Sequence, residues 1–136
     1  MDELQSVLAR IQDRSSFHDK NFEDTNLIDV NQKNWCGDFP LQIAVVTNDI
    51  PAVQVLIDNG AAVDAKGEDG FTALHWATIK RNHAAIRVLL SRGANPGIKN
   101  GFGASPIDIA TKSNDLESIE LFKRMNRRHL MSTIPK

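Results

Sequence analysis

Apolar positions along this chain recur in a fixed order. A large residue comes first, a small one three positions on, and a second apolar stripe follows a polar break. Leu41, Leu74 and Ile107 take the first position, and Ala44, Ala77 and Ala110 the second. Val53, Ile86 and Ile119 begin the second stripe, which continues through Val55, Val88 and Leu121, then Leu56, Leu89 and Phe122. The interval is 33 residues throughout, and Gly37, Gly70 and Gly103 keep it as well. Gly60 and Gly93 repeat too, with Asn126 in the third place. A fixed period predicts stacked units, none of which can bury its apolar face alone. Such a stack offers a long surface rather than a pocket, and a long surface points to binding.

The spacing inside each unit predicts two helices and a turn. Leu41 and Ala44, with their copies, share one side of a short helix, where the small residue lets a neighbour approach. Pro40 and Pro106 suit its first turn, where a missing N–H costs nothing. A second helix carries Val53, Leu56 and Ile57, then Ile86, Leu89 and Leu90, then Ile119 and Phe122. Gly60 and Gly93 end it, because a left-handed residue there is cheapest as glycine and next as asparagine. Asn126 is therefore expected to close the third copy. The polar, Gly-containing run from Ala61 to Asp69 reads as a protruding hairpin.

Residues 1–30 repeat less cleanly. Asp2 is placed to cap a helix carrying Leu4, Val7, Leu8 and Ile11. Leu8 is in phase with Leu41 and Val30 with Val63. Ser15 and Ser16 are placed to cap a shorter helix holding Phe17 and Phe22. The segment reads as a degenerate capping repeat, with a lone helix plus irregular loop as the alternative.

The segment Thr72-Ala73-Leu74-His75-Trp76-Ala77 resembles the T-P-L-H-x-A signature of ankyrin repeats, which share this period. The flanking copies read Phe39-Pro40-Leu41-Gln42-Ile43-Ala44 and Ser105-Pro106-Ile107-Asp108-Ile109-Ala110. No copy is perfect: Ala73 replaces the proline, Phe39 the threonine, and Gln42 and Asp108 the histidine. The resemblance covers residues 31–126. It implies an all-α ankyrin-repeat solenoid of about four repeats, each a helix-turn-helix plus a β-hairpin. The divisions are a single domain over 1–136, with a degenerate cap at 1–30, repeats at 31–66, 67–99 and 100–126, and a C-terminal tail at 127–136. It also implies a structural role for His75, tying a helix start to neighbouring backbone.

Net charge is −1, but it is unevenly spread. Residues 1–68 hold 12 acidic and 5 basic residues, whereas residues 69–136 hold 5 and 11. In a linear stack this makes an acidic end and a basic end. Three readings stand: steering of a partner, solubility of the ends, or head-to-tail self-association. No apolar run is long enough to span a membrane, and Met1-Asp2-Glu3 lacks the basic start of a secretory signal. The single cysteine, Cys36, cannot form an internal disulfide, which points to the cytoplasm.

Catalysis is not expected, so no catalytic residue is assigned. His18, His75, His83 and His129 lack metal-ligand spacing, so neither a metal nor a cofactor is expected. Gly101-Phe102-Gly103 follows no strand and belongs to the repeat. The basic stretch Lys123, Arg124, Arg127, Arg128, His129 and Lys136 has no interleaved aromatic platform, which argues against nucleic acid.

The family resemblance implies that hairpin tips and first helices meet targets. At those positions stand Trp35 and Asp38; Lys66, Glu68, Asp69 and Phe71; Phe102; and, on the helices, Val46, Ile79 and Lys80. Aromatic anchors dominate interface energetics, so Trp35, Phe71 and Phe102 lead this set, with folding back onto neighbouring repeats as the competing reading. Trp76 is assigned to packing. The expected function is binding a protein partner, such as a toxin or enzyme, to inhibit or neutralise it, as a monomer when free. The alternative is a structural adaptor that stacks through its acidic and basic ends.

Overall fold

The structure is a computed structural model that describes residues 3–14, 30–33 and 37–133. Among the described residues seven α-helices run in order: α1 (Glu3–Arg14), α2 (Pro40–Val46), α3 (Ile50–Asp58), α4 (Ala73–Ile79), α5 (His83–Ser91), α6 (Pro106–Lys112) and α7 (Leu116–Thr133). The first helices α2, α4 and α6 form one layer, and the second helices α3, α5 and α7 form the other. Between them lies one continuous core that includes Leu41, Val53, Leu56, Leu74, Ile86, Leu89 and Phe122. Ala44, Ala77 and Ala110 are fully buried, as the need for close helix approach requires.

Local chemistry sets the helix limits. Asp49, Asn82 and Asp115, again 33 apart, cap the second helices by accepting from Ala52 N–H, Ala85 N–H and Ser118 N–H. Just before each cap, Asn48, Arg81 and Asn114 adopt left-handed backbone at φ 58°, 52° and 56°. At the far end of α3, Ala61 N–H donates to Leu56 O and Gly60 N–H to Ile57 O. Ala94 and Gly93 repeat the pair on Leu89 O and Leu90 O. This is the paired closure that a left-handed glycine permits, with φ of 96° at Gly60 and 90° at Gly93.

Asn126 does not close the third copy. The helix passes through it to Thr133, making α7 18 residues long against 9 for α3 and α5. Asparagine takes either backbone conformation, and the helix-forming residues beyond it favour continuation.

At the other end, Val7, Leu8 and Ile11 are buried as their spacing predicts. α1 packs on α2 and more extensively on α3, and Arg10 bonds the α3 cap Asp49 at 3.2 Å. Expectations for Asp2, Ser15, Ser16, Phe17 and Phe22 lie outside the described residues.

The hairpins carry no strand among the described residues. The second and third tips are closed by short-range bonds instead, among them Gly67 N–H to Phe71 O and Asn100 N–H to Ala104 O, both 2.8 Å.

Candidate functional site

The tips are held by side chains from the first helices. His75 Nδ1 accepts from Thr72 N–H at 3.0 Å, so its other nitrogen carries the proton, and Nε2 donates to Ala104 O at 2.9 Å in the next repeat. Gln42 does the same work one repeat earlier. Its Oε1 accepts from Phe39 N–H at 3.0 Å, and Nε2 donates to Phe71 O at 2.8 Å and Ala65 O at 3.2 Å. Phe71 and Ala104 are themselves 33 apart, so both side chains reach the same carbonyl of the succeeding tip. Burial holds the His75 pKa below its ordinary value, against the opposing pull of the Ala104 bond. The neutral ring is therefore the folded one. A further bond joins tip to tip, Gly101 N–H to Asp69 O at 2.7 Å.

This scaffold presents an aromatic ladder. The Phe71 ring stacks on Trp76 with centroids 5.1 Å apart, and meets Phe102 edge-on at 6.1 Å. Phe71 and Trp76 are half-buried, whereas Phe102 is 74% exposed. On α4, Trp76, Ile79 and Lys80 share one face because they stand at i, i+3 and i+4. Ile43, Val46 and Thr47 form that face on α2, and Ile109, Lys112 and Ser113 on α6. Val46 is 41% and Ile79 42% exposed, so an apolar stripe runs across α2 and α4 and rises through Trp76 to the tips.

Most of the sequence-predicted set can be placed. Val46, Ile79, Lys80 and Phe102 stand exposed on or beside the stripe. Lys66, Glu68 and Asp69 are exposed on the second tip, while Asp38 is half-buried on the first. Phe71 folds back onto Trp76 rather than standing free. Lys33 lies over the Phe39 ring at 5.3 Å. Trp35 and Cys36 lie outside the described residues.

The outer layer is devoted to joining repeats. His83 Nε2 lies 3.0 Å from Asp115 Oδ1 and its Nδ1 3.0 Å from Glu117 Oε2, while Arg87 also reaches Glu117. Burial pushes the Asp115 carboxyl up, but bonds from Ser118 and His83 outweigh it and leave the pKa lowered. Among the described residues no group of three His, Cys, Asp or Glu side chains could hold a metal ion.

Sequence reasoning missed a feature at the C-terminal end. An apolar groove of about 690 Å³ opens there between the Gly93–Gly97 loop and Ile107, Thr111, Ile119, Phe122 and Met125. Ile107 is 41% exposed, although Leu41 and Leu74 in the same position are buried. The signal was available: the apolar series ends on a unit that no described repeat covers.

The comparisons agree with this geometry. A family model for ankyrin repeats matches residues 16–100 in three copies. Human SH3 and multiple ankyrin repeat domains protein 2 is 38% identical over 72 residues, covering 52% of this chain and 4% of that protein. Mouse ankyrin repeat and SAM domain-containing protein 6 is 33% identical over 105 residues, 75% of this chain and 12% of its own length. A putative ankyrin repeat protein of fowlpox virus is 34% identical over 103 residues, 74% of this chain and 30% of its own. The chain thus spans less than a third of the length of each of these relatives. No described helix is long and apolar enough to cross a membrane. With the matched family model, the repeated caps and the tip-bonding histidine in agreement, the chain belongs to the ankyrin-repeat family.

Proposed function

We propose that this chain binds a protein partner through the stripe on its first helices and the adjoining tips, and acts by covering it, as an inhibitor or immunity-like protein does. Ankyrin repeats in general are non-catalytic modules for contact between proteins. The observation that carries the reading is the pairing of exposed apolar side chains with a rigid frame. Val46, Ile79 and Phe102 are exposed on elements whose backbone is tied by Gln42, His75 and the bond between tips. A rigid apolar face loses little entropy on docking. It acts on a partner by occlusion rather than by reaction.

Co-purification with the partner tests it. Replacing Ile79 and Phe102 by glutamate is expected to weaken binding roughly tenfold or more. Leu116→Glu, at a 69% exposed site on the outer layer, should leave it unchanged. Loss with Leu116→Glu and retention with the other pair would overturn the assignment of the face.

The open C-terminal groove favours a second reading, in which the chain stacks end to end as a structural element, basic end against acidic end. Sedimentation at low and high salt separates the two. A monomer at both rules stacking out.

A further inference from the structure

Granted the proposed binding face, on which this inference rests, the stripe also constrains the chemistry of its occupant. Neighbouring packed helices lie about 8–10 Å apart, so Val46, Ile79 and Lys112 present one side chain per such step. A β-strand repeats its same-face side chains at about 6.6 or 13 Å, which misses that interval. An α-helix returns a side chain to the same face every two turns, about 10.5 Å along its axis, which comes nearer to that interval than either strand repeat.

Charge then selects among helices. The first helices α2, α4 and α6 contain one carboxylate among the described residues, Asp108, whose oxygen accepts from Ser105 N–H at 2.9 Å. Lys80 and Lys112 stand exposed at the C-terminal ends of α4 and α6, on the same faces as Ile79 and Ile109. The floor is thus apolar at Val46 and Ile79 and basic at Lys80 and Lys112.

We infer that the stripe takes an acidic amphipathic helix of the partner, with apolar side chains on Val46, Ile79 and Trp76 and carboxylates on Lys80 and Lys112. The apolar contacts hold the helix, and the two lysines set its direction along the array.

Two synthetic helical peptides test this. Both carry leucine at successive second turns; one has glutamate and the other lysine at its polar positions. Binding is followed by peptide fluorescence anisotropy and by tryptophan emission. The glutamate peptide should bind about tenfold more tightly than the lysine peptide, and the preference should shrink as salt is raised. K80E/K112E should reverse it. A proline at the centre of the glutamate peptide should abolish binding.

Equal binding of the two peptides, no binding of the glutamate peptide, or an unaltered preference in K80E/K112E overturns the acidic partner. Binding that survives the central proline overturns the helix. A folded Ile79→Glu variant separates this from the proposed face. If it loses the natural partner while K80E/K112E leaves peptide preference intact, the face stands and only the acidic helix falls. If it keeps both the partner and the peptide, the face itself is wrong.

Discussion

The second and third repeats carry the same pattern but differ in what covers it. Leu74 is fully buried and Ile107, its counterpart, is 41% exposed. His75 reaches forward to Ala104 O, whereas Asp108 turns back and accepts from Ser105 N–H within its own repeat. Thr78 is buried at 1% and Thr111 is exposed. A repeat supplies half of a core, and its successor supplies the other half. Burial here belongs to the place in the stack rather than to the residue type.

Truncating the paired apolar residues should break the likeness most sharply. Leu74→Ala removes a fully buried side chain and leaves a cavity between two repeats, which costs about 2–5 kcal/mol. Ile107→Ala removes a side chain already partly in water and is expected to cost about 1 kcal/mol or less. Urea unfolding of both variants measures the gap. Equal losses would mean that the third repeat is as well covered as the second.

The forward-reaching side chain comes next. His75→Ala leaves Ala104 O and Thr72 N–H without their partner in a buried place, for a loss of about 2–4 kcal/mol. His75→Gln should recover most of it, because Gln42 makes the equivalent bonds in the preceding repeat. Asp108→Ala should cost less, since only the cap within its own repeat is lost.

The two positions also differ in pH. The folded His75 pKa lies below its ordinary 6.5, so the unfolded chain takes up the proton first. Its contribution is whole above pH 6.5 and is lost as pH falls below that value toward the folded pKa. The Asp108 carboxyl is held below its ordinary 3.8 by bonds from Ser105, so its contribution persists until pH falls under that value. Melting temperature against pH should show the His75 step vanish in His75→Gln and the Asp108 step remain.

Much of this contrast was legible in the residues. The period located Leu74, Ala77, His75 and the closing glycines because each is demanded by geometry that a sequence displays: burial on one face, or a left-handed turn. Asn126 misled because asparagine satisfies a helix or a turn, and nothing local decides between them. Arg81 gave no sign of its left-handed backbone, which the caps on either side impose and its bond to Ser113 O supports. The expected strands shrank to a few turn bonds because the second tip turns within five residues, from Gly67 to Phe71, and the third likewise from Asn100 to Ala104. Of the candidate surface, Val46, Ile79 and Phe102 are exposed at the places that the family resemblance assigns to first helices and tips. The folding back of Phe71 was left open, since it depends on a ring from the next helix. The groove beside Ile107 follows from the same period, in which no described repeat comes after Ile107 to cover it.

The smallest expected effect tests the tips. Gly70 and Gly103 hold the same place and nearly the same backbone, φ 77° and 79°. A Cβ on Gly70 would meet Gly101 N at 3.0 Å and Asn100 Cα at 3.3 Å, both backbone of the following tip. A Cβ on Gly103 would meet nothing within 4 Å. Gly70→Ala therefore adds a collision to the left-handed strain and should cost about 1–3 kcal/mol. Gly103→Ala bears the strain alone, about 1 kcal/mol. The collision would also press on the bond from Gly101 N–H to Asp69 O, so hydrogen exchange at Gly101 should quicken in Gly70→Ala and stay unchanged in Gly103→Ala. If both variants lose the same stability and Gly101 exchanges alike in each, the tips are not braced against one another, and the rigid frame behind Phe102 would have to come from Gln42 and His75 alone.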